Sequence, residues 1–210
     1  MYSLGEIEAQ CKKAAKGVGL SWGVAEEAGL IARHLSELNL PGPDAIYSNL
    51  KFIEDNEGGT LGIDLRGLNQ SNRTLNGFLL GIMLLDNLTE FTHQEVSLSN
   101  DVIGPLAVVG ALIRLQNERY FFTVKSENCQ IIVNQDGLNV IGQNLNPQLV
   151  NGLDLSILPS PAEPFFKKIS NERSIIYNWD ALTNMAHRTY VSESIHSRLH
   201  GAGAGDNENE

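Results

Sequence analysis

Two histidines near the end of the sequence have the spacing of metal ligands. His196 and His200 stand four residues apart in "HSRLH", so on a helix they would share one face. The stretch lacks the intervening glutamate of the zinc peptidases, and the sequence offers no evident third ligand. Because chance is sufficient to produce such a pair, we predict that the protein binds no metal ion and no cofactor.

The glycine-rich run "GAGAG" at residues 201–205 allows three interpretations. A phosphate-binding loop needs a strand before the glycines and a helix after them, and this run has neither pattern beside it. The other two are a flexible tail and an ordered arm, since small residues let a backbone pass through a narrow groove. We predict that residues 197–203 form an ordered arm, with Arg198 bound to Glu26 or Glu27 by a forked contact.

A second stretch, "GLSWGVAEEAG", places an aromatic residue and two acids at the start of a helix. Trp22 in such a position more often anchors the helix than stacks on a ligand. Glu26 and Glu27 are adjacent, so their side chains diverge by about 100° and cannot form a convergent acid–base pair. A small-molecule site between this helix start and the arm is therefore a hypothesis without an identified catalytic residue. Its candidate residues are Trp22, Glu26, Glu27, Ser197, Arg198, Gly201 and Gly203.

Capping residues and periodic apolar positions predict the helices that would carry these side chains. Ser3 and Glu6 form a capping-box pattern ahead of an apolar stripe that ends near residue 18. Ser21 is placed to cap a second helix and Asp44 a third. Near the other end, Asp180 is placed to cap a helix with an apolar face.

The middle of the chain predicts a sheet. Three runs of strand-forming residues, 120–125, 130–134 and 138–141, are separated by short turns and predict an antiparallel meander. The run "LDLSILP" predicts an edge strand that prolines end. Two apolar stretches, "GFLLGIMLLDNL" and "PLAVVGALIRLQ", fit a buried helix or a strand equally well.

These elements predict the α+β class, with N-terminal helices, a mostly antiparallel central sheet, and a C-terminal helix and arm. We expect a single domain over residues 1–205. Its helical part covers residues 1–57, its mixed or β part residues 60–160, and its C-terminal helix and arm residues 177–205. We expect residues 206–210, "DNENE", to form a disordered acidic tail, because they include no apolar residue.

Composition limits the classes of function. The 210 residues are 42% hydrophobic, which is enough for a core, and carry a formal net charge of -10. A nucleic-acid or anionic-membrane partner would require a large basic surface, so we expect neither. No apolar stretch approaches the roughly 18 residues of a membrane span. Cys11 and Cys129 are far apart and outside any CxxC pattern, which favours reduced thiols and a cytoplasmic location.

Two stretches carry a resemblance to a known family. "KKAAKGVGLSWGVAEEAGLIARHLSELNLPG" and "SRLHGAGAG" resemble a family of bacterial proteins known as a domain of unknown function. This resemblance implies a cytosolic bacterial protein and supplies no activity. The chain is also similar to the non-Rossmann malate and lactate dehydrogenases, whose catalytic Asp-Ser-His-Gly motif would fall at Asp44–Tyr47. Here the sequence reads Asp-Ala-Ile-Tyr, which lacks the catalytic histidine.

Two hypotheses about function follow from the sequence. The first is a non-catalytic accessory or oligomeric binding protein, which we expect to be a homodimer because long apolar segments need cover and symmetric dimers are the commonest oligomers. The second is an enzyme or binder of a small molecule, with its site between residues 22–27 and 197–205. A pocket that contains both segments would favour the second hypothesis.

Overall fold

The computed structural model describes residues 2–56, 73–91, 95–118, 120–134, 137–142, 148–159 and 174–190. Within these ranges the helices are α1 (Leu4–Gly17), α2 (Trp22–Glu37), α3 (Gly42–Asp55), α4 (Gly77–Asp86), α5 (Leu88–Phe91), α6 (Leu106–Leu112) and α7 (Trp179–His187). The strands are β1 (Leu75–Asn76), β2 (Glu95–Ile103), β3 (Tyr120–Ser126), β4 (Cys129–Asn134), β5 (Gly137–Gly142) and β6 (Leu149–Pro159). A 3₁₀ helix, Ile113–Glu118, follows α6. This order of elements confirms the α+β class.

The first two helices begin as predicted. The Glu6 backbone N–H donates to Ser3 Oγ at 3.2 Å, and the Ser3 N–H donates to Glu6 Oε2 at 2.7 Å, which completes the capping box. The Val24 N–H donates to Ser21 Oγ at the start of α2. Both helix starts are therefore fixed by neighbouring residues alone.

The predicted caps of α3 and α7 are wrong. Helix α3 begins at Gly42, so Asp44 lies inside its first turn and binds other groups, whereas the N-cap position holds Pro41. Helix α7 has Asn178 at its N-cap, and Asp180 lies in the first turn. The start lies two residues before the acid in α3 and one residue before it in α7, and an acid in the first turn still favours the helix through its dipole.

The sheet has the order β1-β2-β6-β3-β4-β5, and its pairs are antiparallel except for β1 with β2. The meander β3-β4-β5 is confirmed. The prediction that "LDLSILP" is an edge strand is wrong, because β6 pairs with β2 on one side and with β3 on the other. The sequence pattern predicts no strand over residues 95–103, which is the strand that pairs with β6 on this side.

The two ambiguous apolar stretches are the helices α4 and α6. They pack against each other, and all seven residues of α6 are buried. A Cβ on Gly81 of α4 would lie 2.7 Å from the Ala111 Cβ of α6, so the glycine permits the close crossing. Burial on all sides explains why neither stretch shows the one-sided apolar pattern of a surface helix.

The first and last described helices lie side by side. Helix α7 packs on α1, and at the crossing a Cβ on Gly17 would lie 1.9 Å from the Met185 carbonyl oxygen. Helices α2 and α3 pack on α6, which connects the helical part to the sheet. Within the described ranges, no helix has both the length and the apolar character needed to cross a membrane.

Candidate functional site

An apolar groove lies where the start of α1 meets the end of α2 and the start of α3. Its cavity volume is about 280 Å³, close to the lower end of the range for small-molecule sites. The fourth wall is the segment that precedes α7. The residues that line this apolar groove are Tyr2, Leu4, Ile7, Ser36, Leu40, Pro43, Ser174, Ile175 and Ile176.

The apolar groove offers little polar chemistry. Among the described residues that line it, none has a charged side chain. The Ser36 hydroxyl donates to the Ala32 carbonyl at 2.7 Å, and the Ser174 hydroxyl donates to the Asn39 carbonyl, so both donors are engaged within the protein. The arrangement is suited to holding an apolar group and has no general base, nucleophile or oxyanion donor among these residues.

A buried carboxylate holds the fourth wall in place. Asp44 is 5% exposed, and Oδ1 accepts the Asn178 backbone N–H at 2.8 Å and the Asn178 side-chain amide at 2.7 Å. The Tyr177 N–H donates to the same carboxylate at 3.2 Å. The segment is therefore tied to the first turn of α3, directly behind the apolar groove.

An aromatic pair fixes the outer end of the groove. The Tyr2 ring stacks on the Trp179 ring with centroids 3.7 Å apart and planes 15° from parallel. This contact joins the residue before the α1 cap to the first residue of α7. Sequence reasoning missed the groove, because nothing in the local pattern pairs residues 2 and 44 with residues 177–179.

The exposed side chains at the groove are apolar. Ile175 is 68% exposed and Tyr177 is 79% exposed. Burying side chains of these types usually stabilises a protein, so their exposure is unusual. They lie on the segment that hydrogen bonds to Asp44 tie to α3. This combination of an apolar cavity and protruding apolar side chains is typical of a surface that receives a partner.

Three of the residues that the sequence predicted for a small-molecule site lie away from the apolar groove. Trp22, Glu26 and Glu27 stand at the start of α2, near the end of α1, whereas the apolar groove lies at the start of α1, about 20 Å away by helix length. Glu26 pairs with Lys12 at 2.6 Å, and Glu27 pairs with Arg114 at 2.7 Å. The two acids face different elements, as their spacing predicts.

The arm lies outside the described residues, as do Ser197, Arg198, Gly201 and Gly203. Its contact with Glu26 or Glu27 therefore stays a prediction. His196 and His200 also lie outside this part of the chain. Within the described ranges, no cluster of three or more His, Cys, Asp or Glu side chains is arranged to hold a metal ion.

The two thiols are poorly suited to nucleophilic chemistry. Burial raises the pKa of Cys11, and the nearby Asp44 carboxylate raises it further. Partial burial also raises the pKa of Cys129. Both groups therefore remain thiols at neutral pH, whereas a catalytic cysteine requires a lowered pKa.

The position that corresponds to the dehydrogenase motif has a structural role. Asp44 is buried within the protein, and its carboxylate is bound by the N–H groups of residues 177 and 178. Ala45 and Ile46 are fully buried in the core. These contacts connect α3 to the segment before α7.

A comparison with protein families matches the N-terminal part of the chain. No curated protein and no solved structure matches the chain. The matched residues, 2–75, include α1, α2, α3 and the first residue of β1, and they contain the "SWGVAEEAG" stretch but not "SRLHGAGAG". The predicted resemblance to an uncharacterised family is confirmed there: residues 2–75 match the family described as Protein of unknown function (DUF3726).

Proposed function

We propose that this is a non-catalytic binding protein that acts as a homodimer, with the apolar groove as the contact between the two copies. The observation that carries this proposal is Ile175, which is 68% exposed on the rim of an uncharged apolar cavity. In the dimer, Ile175 of each copy enters the groove of the other. The dimer would then carry two copies of every surface that the contact leaves exposed.

The chemistry of the groove favours a second copy as its occupant. A two-fold interface places the same patch on both sides, so a charged patch would repel itself, whereas an uncharged one does not. The apolar groove contains both a cavity and a protruding isoleucine, as a self-complementary patch requires. Burying one isoleucine contributes about 1.5–3 kcal/mol, so the neighbouring Tyr2, Leu4 and Tyr177 must also be covered for a stable dimer.

The proposal includes a bacterial origin and a cytoplasmic location. Both cysteines are free thiols, and free thiols are typical of a reducing compartment. The bacterial origin is implied by the resemblance to a bacterial family. An accessory role beside another protein is consistent with a dimer that displays two equivalent surfaces.

Sedimentation equilibrium tests the dimer directly. At micromolar concentration we expect a species of twice the 23.0 kDa chain mass. Ile175→Glu places a charge in the apolar groove and should yield the monomer. The matched control is Ile141→Glu, which makes the same change at another exposed isoleucine, on β5.

Three outcomes would contradict the proposal. A wild-type protein that sediments only as a monomer would exclude the dimer. A dimer that persists in Ile175→Glu with unchanged affinity would exclude the groove as its interface, and dissociation by Ile141→Glu alone would move the interface to the β5 edge. Melting temperatures of both variants show whether each change acts on association or on folding.

A further inference from the structure

A second surface lies at the opposite end of α1 from the apolar groove. It consists of Lys12, Lys13, Lys16, Trp22 and Tyr190, which we name the lysine–aromatic surface. Trp22 and Tyr190 are each 59% exposed. The three lysines lie within about 100° around the axis of α1, so they face solvent together.

Each lysine lies close to an aromatic ring. The Nζ atoms of Lys12 and Lys16 are 5.8 Å and 5.2 Å from the Trp22 ring centroid. Lys13 Nζ is 5.7 Å from the Tyr190 ring centroid. Cation–π contacts at these distances keep the ammonium groups beside the rings, so charge and apolar area are presented side by side.

The charge of this surface is only partly neutralised by the protein. Glu26 pairs with Lys12 at 2.6 Å. Within the described residues, Lys13 and Lys16 form no ion pair, whereas Arg33, Lys51, Arg114 and Arg188 each contact a carboxylate. A chain with a formal net charge of -10 thus keeps a local positive surface.

We propose that the lysine–aromatic surface binds an acidic peptide segment of a partner protein, one that carries aromatic or aliphatic residues among its acids. This surface is separate from the apolar groove, so it goes beyond the proposed dimer. Carboxylates of the segment pair with Lys13 and Lys16, and its apolar side chains cover Trp22 and Tyr190. Tryptophan and tyrosine are the residues that most often dominate binding at protein interfaces.

The net charge of the protein favours an acidic peptide over a larger polyanion as the partner of this surface. Nucleic acids and anionic membranes extend far beyond a patch of three lysines and would meet the acidic remainder of the surface. A short segment lies within about one Debye length of the lysines, roughly 8 Å at physiological salt, where the local charges dominate. An inorganic anion would leave the two exposed rings without a role.

Fluorescence anisotropy with a labelled synthetic peptide, EEFEEFEE, tests the proposal on the full chain. We expect the Lys13→Ala/Lys16→Ala variant to bind at least about tenfold more weakly and Trp22→Ala to show a similar loss. The matched control is Arg73→Ala/Lys125→Ala, which makes the same change in net charge at residues outside this surface. The control should bind within about twofold of the wild type.

A second measurement follows binding at the surface itself. The chain has two tryptophans, Trp22 and Trp179, so Trp179→Phe leaves Trp22 as the single indole and retains a ring to stack on Tyr2. We expect the Trp22 emission to shift to shorter wavelength when the peptide binds, because the ring leaves water. An unchanged emission at saturating peptide would overturn the proposal.

Four other results would also overturn it. The first is a loss of binding in the control variant equal to that in the lysine variant. The second is tighter binding of the basic peptide KKFKKFKK than of EEFEEFEE. The third is tighter binding of an oligothymidylate, or of phosphatidylserine vesicles, than of EEFEEFEE. The fourth is peptide binding that occurs only after deletion of residues 206–210, because the occupant would then be the acidic end of this chain. Unchanged melting temperatures of the variants confirm that each remains folded.

Discussion

At the scale of single residues, Asp44 contributes more to the fold than its place in the sequence suggests. Its carboxylate is 5% exposed and accepts hydrogen bonds from the backbone of Tyr177 and Asn178 and from the Asn178 side chain. A buried charge is tolerated only when hydrogen bonds replace its hydration. Asp44 thereby fixes both a wall of the apolar groove and the start of α7.

Replacement of this carboxylate should therefore be costly. In Asp44→Ala the N–H groups of residues 177 and 178 lose their acceptor, so we expect the free energy of unfolding to fall by about 2–4 kcal/mol. Urea unfolding followed by circular dichroism measures the change. Asp180→Ala removes an exposed acid from the first turn of α7 and should lose less than about 1 kcal/mol; an equal loss in both variants would contradict the role of Asp44.

Because the Cys11 thiol is buried, we expect the protein to lose stability at alkaline pH. Burial raises its pKa in the folded state above the ordinary value of 9.0, so the folded protein retains the thiol proton while the unfolded chain releases it. The stability that the buried Cys11 thiol contributes is fully present below about pH 9. As the pH rises further, the free energy of unfolding falls by up to about 1.4 kcal/mol per pH unit.

Urea titrations between pH 8 and pH 10.5 test this prediction by the difference between two variants. Cys129→Ala retains the buried thiol, and Cys11→Ala/Cys129→Ala lacks both thiols. We expect the first to lose stability with pH more steeply than the second, because the other titrating groups are common to both. Equal slopes would show that Cys11 ionises in the folded state as readily as in the unfolded chain.

At the scale of the elements, the crossing of α1 and α7 depends on the absence of a side chain at Gly17. A Cβ there would lie 1.9 Å from the Met185 carbonyl oxygen, and backbone atoms cannot move aside as a flexible side chain can. We expect Gly17→Ala to lower the free energy of unfolding by about 2–3 kcal/mol.

Gly23 provides the matched control for this helix crossing. It also lies in a helix, α2, and a Cβ there would meet no atom within 4 Å. Gly23→Ala should therefore stabilise the protein, by at most about 1 kcal/mol, since alanine loses less backbone entropy in a helix. Thermal unfolding of the two variants should give melting temperatures that shift in opposite directions, and a shift in the same direction would refute the proposed crossing.

The features predicted from the sequence are those that neighbouring residues determine. The Ser3–Glu6 capping box, the Ser21 cap and the β3-β4-β5 meander each depend on residues a few positions apart. The central position of β6 depends on pairing with residues 95–103, about 50 positions earlier, and no local pattern encodes that pairing. Gly81 illustrates the same limit, because it weakens the helical pattern yet permits the contact with Ala111.

The candidate sites show the same division between local and distant determinants. The divergence of Glu26 and Glu27 follows from helix geometry, and the structure shows them on different partners. The apolar groove joins residues 2–7, 36–43 and 174–176. The closure of α7 onto α1, which brings these segments together, could not be predicted from spacing.

At the scale of the whole molecule, the family match includes the packing of α1, α2 and α3 on one another but ends before the other packing partners of these helices. Residues 2–75 contain α1, α2 and α3. Helix α1 packs on α7, and α2 and α3 pack on α6, all beyond residue 75. The faces of these helices that α6 and α7 cover would therefore be exposed to water in a fragment that stops there.

A fragment of residues 1–75 should consequently not fold as an independent unit. We expect its thermal denaturation, followed by circular dichroism, to lack a cooperative transition, because an apolar face without its partner gains too little burial to offset chain entropy. The full chain, measured in the same way, should show one. A cooperative transition in the fragment would identify residues 1–75 as a separate domain.

The position of β6 in the sheet also delays strand pairing while the chain is synthesised on the ribosome. Strand β2 is complete at Ile103, but the strand that lies between it and β3 ends at Pro159, 56 residues later. At elongation rates of roughly 5–20 residues per second that delay is roughly 3–11 s. Until β6 is complete, β2 lacks its antiparallel neighbour, and β3, once it is made, lacks the same strand. An unpaired strand edge can pair with another chain, so we expect this stage of synthesis to be the one most exposed to aggregation.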